Sequence, residues 1–179
     1  MKNKRNLFLM ALIAPLVVLL SMTWKPLWTL NVGTPILLES VPVDPRDILY
    51  GDYVSLQFAV EEVQAKDMDP ALLKELSTES YGKMVVYAVL QQEDKNKYGL
   101  KMVTAEKPDS GVFLKGRMYY YGQSPYDPQT TYYANFLPDR FYVPENTGKR
   151  LEDLSREGQL IAKIKVHNGY AVLQDIVQK

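Results

Sequence analysis

The first thirty residues contain the feature that most restricts what this chain can fold into. An apolar run from Leu7 to Trp24 follows three basic residues, Lys2, Lys4 and Arg5. In a helix this run rises about 27 Å, which is close to the hydrocarbon thickness of a bilayer. Because basic residues favour the cytoplasmic side, the sequence predicts an uncleaved signal anchor with a cytoplasmic N-terminus.

A cleaved signal peptide is the alternative, and it requires small residues at the cleavage junction. The best local candidate is Ser21-Met22-Thr23, in which Thr is a poor last residue. The absence of Cys excludes a lipid-modified N-terminal Cys. The predicted organisation is a cytoplasmic N-terminus at 1–6, a transmembrane anchor at 7–24, a linker at 25–34 and an extracytoplasmic domain at 35–179.

The outer domain is predicted to be acidic. Four basic residues precede the first acidic one, Glu39, so the domain holds 17 of the 21 basic and all 21 acidic residues, a formal charge of −4. This balance argues against a nucleic-acid partner, because phosphate binding needs a basic surface. Without Cys, stability must come from packing rather than disulfides. We expect a single-pass protein of the bacterial cytoplasmic membrane whose bulk faces the periplasm.

The domain itself has the pattern of a mainly β fold. Runs rich in Val, Ile, Tyr and Phe alternate with Gly, Pro, Asn and Asp. The predicted strands are Ile36–Val41, Tyr53–Val60, Met84–Gln92, Tyr98–Ala105, Val112–Tyr121, Tyr132–Phe136, Gln159–His167 and Tyr170–Val177. Short helices are predicted from Asp69-Pro70 and from Gly148 to Arg156. The expected architecture is an antiparallel barrel or sandwich with short helices at its rim.

The last two strands form the clearest hairpin, because Asn168-Gly169 is a strong two-residue turn signal. A regular register places Ile164 opposite Leu173 and Leu160 opposite Val177. It also places Asp175 opposite Ala162, which interrupts the apolar face. The single histidine, His167, lies at this turn, where a catalytic triad or a zinc site is not expected.

The segment from Pro42 to Val60 carries a distinctive motif. Its first part, Asp44 to Asp47 with Arg46, reads as a turn, and Gly51-Asp52 reads as a second turn before a strand. That strand is predicted to bury Val54, Leu56, Phe58 and Val60. Turn chemistry accounts for the three aspartates. A second interpretation is that Arg46 and the carboxylates bind a partner group.

These residues resemble the bacterial family defined by the motif GDYXXLXY. Gly51, Asp52, Tyr53 and Leu56 match the motif, while Phe58 replaces its second tyrosine. Asp44 to Asp47 and the later Val143 to Glu145 resemble further family features. The resemblance implies an N-terminal membrane segment, an outward β-rich domain and, because some relatives carry multi-span membrane domains, a polytopic membrane partner. It implies no catalytic residue, cofactor or metal.

Two hydrolase hypotheses are weaker alternatives. Signal peptidases are also anchored β proteins, but the position eight residues before Gly51 is Val43, which leaves only Ser40 as a nucleophile with Lys83 or Lys101 as base. Glu145 and Glu152 could act as acid and base on a glycan. Neither pattern is specific, since strand-end serines and solvated glutamates are common.

Tyrosines cluster after residue 118, beginning with Tyr119, Tyr120 and Tyr121. On a strand, Tyr119 and Tyr121 share one face while Tyr120 takes the other. An exposed tyrosine surface suits glycan stacking or protein contacts, and edge packing is the alternative. We therefore expect a non-catalytic, membrane-anchored interaction or assembly domain of the envelope. A membrane-proximal hydrolase and an envelope glycan-binding or peptide-binding module are the alternatives.

Overall fold

The computed structural model describes residues 2–41, 53–78, 81–122, 127–142, 153–154 and 157–179. One long helix precedes a mixed β-sheet and a second, short helix. The elements are α1 (Lys2–Val32), β1 (Thr34–Val41), β2 (Tyr53–Ser55), β3 (Gln57–Phe58), β4 (Glu62–Gln64), α2 (Pro70–Thr78), β5 (Tyr81–Asp94), β6 (Lys97–Thr104), β7 (Phe113–Tyr121), β8 (Thr131–Asn135), β9 (Arg140–Tyr142), β10 (Leu160–His167) and β11 (Tyr170–Gln178). The predicted mainly β fold behind an apolar helix is confirmed.

Helix α1 is longer than the apolar run. Its segment Asn6–Val32 is long and apolar enough to cross a membrane, and none of the most apolar window is buried in the protein. Whereas the sequence predicts a linker over 25–34, the helix continues through Val32. The extra turns pack against β10 and β11, where Thr29 is 1% exposed, so tertiary contact stabilises helix beyond the apolar run.

The large sheet has the strand order β11-β10-β1-β6-β5-β7-β8-β4. Its pairings are antiparallel except for β1 with β6, where Leu37 lies opposite Lys97. The sheet curls until the N–H of Lys115 on β7 donates to the carbonyl of Gly169, 2.8 Å away, but this single bridge does not close a barrel. One core fills the curl, and its fully buried side chains include Ile36, Leu38, Leu72, Val86, Leu114, Met118, Tyr132, Leu160 and Ile164.

The β10–β11 hairpin has the predicted turn but not the predicted register throughout. Asn168 and Gly169 have φ values of 49° and 77°, the left-handed pair that a tight hairpin turn requires. Ile164 lies opposite Leu173 as expected, but a bulge then places Asp175 opposite Lys163 and Ile176 opposite Ala162. The prediction that Asp175 faces Ala162 and Leu160 faces Val177 is therefore wrong. The extra residue lets Lys163 and Asp175 pair at 3.6 Å and keeps the inner face apolar.

The motif strand is also divided. The sequence predicts one strand over Tyr53–Val60, but β2 pairs with β9 in a separate two-stranded sheet while β3 pairs with the end of β1. A 3-10 turn at Ala59–Glu61 then redirects the chain so that β4 can pair with β8. Alternation alone does not reveal this change of partner. β4 and β9 were not predicted because three residues are too few to show a period.

Of the two predicted helices, α2 is confirmed. Leu72 and Leu76 lie on its buried face. At the start of the helix, the carboxylate of Asp69 accepts the N–H of Ala71 at 3.0 Å. The second predicted helix, Gly148 to Arg156, lies outside the described residues except for Asp153 and Leu154, which are helical.

Candidate functional site

The described residues of the motif pack in the core or pair with other strands through their backbones. Leu56 and Phe58 are 3% and 1% exposed, so both belong to the core. Phe58 replaces the second motif tyrosine at a fully packed position. The backbone of Tyr53 pairs with that of Tyr142, and the N–H of Leu56 donates to the carbonyl of Asp139 at 2.8 Å. The remaining predicted motif residues, Asp44, Arg46, Asp47, Gly51, Asp52 and Glu145, lie outside the described residues.

Glu61, just after the motif, was not singled out from the sequence. Its Oε1 accepts the N–H groups of Phe136 at 3.0 Å and Leu137 at 3.2 Å, and its Oε2 accepts the N–H of Phe58 at 3.3 Å. One carboxylate therefore joins the 3-10 turn after β3 to the segment between β8 and β9. The only signal in the sequence was a glutamate directly after the predicted strand Tyr53–Val60, and it is a weak one.

Opposing effects act on the pKa of Glu61. Burial raises the pKa of the carboxyl, the three backbone N–H groups lower it, and the negative charge of Asp139 raises it slightly, so the net direction is upward. Glu61 and Asp139 both line an open cavity of about 370 Å³, together with Leu56 and Tyr133. Two carboxylates at a cavity are compatible with acid–base chemistry, but hydrogen bonds to three backbone groups are typical of a structural role.

Tyr119 and Tyr121 lie on the outer face of the large sheet, and Tyr120 is 4% exposed on the inner face. Tyr121 is 65% exposed and lies opposite Tyr81, which is 73% exposed. We use the name tyrosine–cation strip for the outward residues of β5 and β7 over four paired rows. The strip consists of Tyr81, Lys83, Val85 and Tyr87 on β5 and Lys115, Arg117, Tyr119 and Tyr121 on β7.

A shallow groove of about 420 Å³ follows part of this strip. It is lined by Val85, Lys115, Gly116, Arg117, Tyr119 and Asn135, none of which is acidic. Within the described part of the chain, the guanidinium of Arg117 has neither a salt-bridge partner nor a hydrogen bond. The groove therefore offers an aromatic ring, an amide and two cations to a ligand.

A second cleft, of about 400 Å³, contains a charge network instead. The Nζ of Lys97 lies 3.0 Å from Oε1 of Glu39, and the Nζ of Lys179 lies 3.2 Å from the same oxygen. Hydrogen bonds from Lys97 and Lys179 lower the pKa of Glu39, and the Glu39 carboxylate raises the pKa of Lys97. These charges already satisfy one another, so the cleft has less to offer a ligand than the groove.

Among the described residues of the hydrolase hypotheses, Ser40 and Lys83 are not placed as a nucleophile and its base. Ser40 is 4% exposed, and its hydroxyl donates to the carbonyl of Leu160 at 3.0 Å, the strand hydrogen bond that the sequence favours over a nucleophilic role. Lys83 lies on the strip, on the outer face of the sheet. Glu145 and Glu152 fall outside the described residues. Among the residues that are described, no group of three His, Asp or Glu side chains is placed to hold a metal ion.

Comparison with protein families gives one match. The family model described as GDYXXLXY protein matches residues 15–176. The chain belongs to this family. The match runs from within α1 into β11, so the GDYXXLXY unit includes more than half of α1 and nearly the whole sheet. No curated protein matches the chain, and no solved structure matches it.

Proposed function

We propose that this GDYXXLXY protein is a non-catalytic interaction domain, held at the outer surface of the cytoplasmic membrane, that assembles or holds envelope components beside a polytopic membrane partner. The observation that carries the proposal is the connection between α1 and the sheet. Gly33 is the only residue between the helix and β1. A domain joined in this way keeps a fixed orientation relative to its anchor.

Several contacts support a stiff junction. The N–H of Gly33 donates to the carbonyl of Thr29 at 2.9 Å, and the Nζ of Lys165 donates to the carbonyl of Gly33 at 3.2 Å. The Nζ of Lys25 lies 4.3 Å from the ring centroid of Tyr170 on β11. A flexible tether would need none of these contacts. A fixed orientation benefits a protein that must present one surface to a partner in the same membrane.

The length and composition of α1 support the membrane part of the proposal. Its 31 residues rise about 46 Å, so about 30 Å can cross the hydrocarbon while the last turns remain outside. Trp24 and Trp28 stack with 5.9 Å between their ring centroids, and aromatic residues at the end of an apolar helix are typical anchors at the membrane–water interface. The apolar side chains along the helix are exposed, which leaves them free to contact lipid or another helix.

The test is site-specific photocrosslinking of the full-length protein in its native membrane. A crosslinker at Leu16 or Leu20, both exposed on α1, should capture a multi-span membrane protein, and one at exposed Lys107 in the β6–β7 loop is the control. Inserting Gly-Ser-Gly after Gly33 should leave membrane insertion intact and reduce capture. Capture of lipid alone from both α1 positions would refute the membrane partner.

Orientation has a separate test. Protease added to intact spheroplasts should digest the domain, while α1 stays in the membrane fraction. Full protection of the domain would reverse the proposed topology, and recovery of a soluble protein that begins after Trp24 would refute the anchor.

A further inference from the structure

We infer that the tyrosine–cation strip is a binding site for an acidic polysaccharide, a linear glycan that carries carboxylate groups. This inference rests on the proposed function in one respect, which is that an outward-facing domain meets envelope glycans. It does not depend on the membrane partner of α1. The site is carried by the regular geometry of two strands and by the distribution of charge on the sheet.

The strip spans four paired rows of the two strands. Its four rows are Tyr81 with Tyr121, Lys83 with Tyr119, Val85 with Arg117, and Tyr87 with Lys115. Rows on one face of a sheet are about 7 Å apart, so the strip is about 20 Å long. It thus offers four tyrosine rings and three cations within about 20 Å to an extended polymer whose sugar rings carry carboxylates.

The charge of the strip opposes that of the domain. The domain has a formal charge of −4, yet the outward residues of these four rows include three cations and no acid. On neighbouring β8, the outward residues beside the strip are Tyr133 and Asn135, and Glu62 on β4 marks the edge of the basic area. A planar guanidinium such as that of Arg117 binds a carboxylate through two parallel hydrogen bonds.

The chemistry of the strip favours a glycan over a protein. Its tyrosines present an apolar ring face and a polar tip, which together suit the C–H face and hydroxyl groups of a sugar. Val85 is its only aliphatic side chain, so it lacks the apolar centre of a protein interface. Two strands by 20 Å is about 200 Å², roughly a quarter of what a stable protein interface buries on each partner.

The experiment measures binding of full-length protein in detergent micelles to polygalacturonate, with neutral dextran and poly-glutamate as comparison polymers. We expect polygalacturonate to bind in a salt-sensitive manner and dextran not to bind. The double variant R117A/Y119A should bind about tenfold more weakly or worse, since it loses a carboxylate fork and a stacking surface. The control variant K101A/Y142A removes one cation and one tyrosine, both exposed and outside the strip, and should bind like the wild type.

R117K gives a second measurement if the double variant does not fold, as judged by circular dichroism. It keeps the charge but loses the planar fork, so its affinity should fall while its salt dependence remains. Equal affinity for poly-glutamate would overturn the inference in favour of an acidic protein segment. Equal loss in the control variant, or no binding to polygalacturonate, would also overturn it. Failure of the α1 crosslinking leaves this assay unaffected, so the two proposals fail separately.

Discussion

Replacing Glu61 provides the sharpest test of how the region after the motif is held together. In E61A, the N–H groups of Phe58, Phe136 and Leu137 all lose their acceptor. A buried donor left without a partner costs about 1–3 kcal/mol, but the adjacent 370 Å³ cavity lets water reach these groups. We therefore expect E61A to lower the free energy of unfolding by about 2–4 kcal/mol, below the simple sum of the three donors.

E61Q separates the charge of Glu61 from its hydrogen bonds. The amide oxygen can still accept from Phe136 and Leu137, while the bond to Phe58 is lost, so the expected cost is about 1 kcal/mol. The measurement is equilibrium unfolding of the full-length protein in detergent, followed by circular dichroism. E75A, on the exposed part of α2, serves as the surface control, with an expected change within about 0.5 kcal/mol.

The direction of the Glu61 pKa shift predicts how the stability contributed by Glu61 changes with pH. Because the folded pKa of Glu61 is raised above its ordinary value of 4.5, the folded protein favours the protonated form. The part of the Glu61 contribution that depends on protonation is therefore fully present below pH 4.5 and is lost as the pH rises through the folded pKa, while the hydrogen bonds to the three N–H groups persist. The stability of the wild type minus that of E61Q should fall with rising pH across this window. A difference that rises with pH, or an E61A cost under about 1 kcal/mol, would refute the reasoning.

Three further changes test other parts of the fold. Tyr132→Phe removes a buried hydroxyl that has no hydrogen-bond partner among the described residues. It should therefore raise the free energy of unfolding, measured with urea, by about 1 kcal/mol. A loss of stability would contradict this. Gly116→Ala places a Cβ 2.4 Å from the carbonyl oxygen of Asn135, and thermal unfolding should show a cost of about 1–3 kcal/mol, whereas an unchanged melting temperature would show that β8 can move aside. Glu39 has a lowered folded pKa, so its stabilising effect is present above pH 4.5 and is lost as the pH falls through the folded value. Glu39→Gln should therefore lose less stability than the wild type when the pH is lowered, as measured by unfolding at several pH values. Equal losses in the two proteins would contradict a stabilising role for the ion pairs of Glu39 with Lys97 and Lys179.

Local patterns in the sequence were sufficient for several elements. The apolar run behind a basic start predicts α1, Asn168-Gly169 predicts the last hairpin, and Leu72 with Leu76 predicts α2. Each depends on residues close together in the chain, and each is confirmed as an element. The exposure of Tyr121 and the burial of Tyr120 also follow from the alternation of a strand.

Other features depend on residues that are distant in sequence. The extension of α1 to Val32 requires β10 and β11 as a packing surface, and the bulge near Ile164 brings Lys163 opposite Asp175 on the other strand. The role of Glu61 appears only when the chain brings Phe136 and Leu137 to it. Hydropathy and turn chemistry act over a few residues, so the sequence by itself determined the apolar helix and most of the longer strands. Burial and hydrogen bonding between remote segments are collective, so only the tertiary structure decided which side chains became acceptors, which strands exchanged partners and which cations gathered on one face.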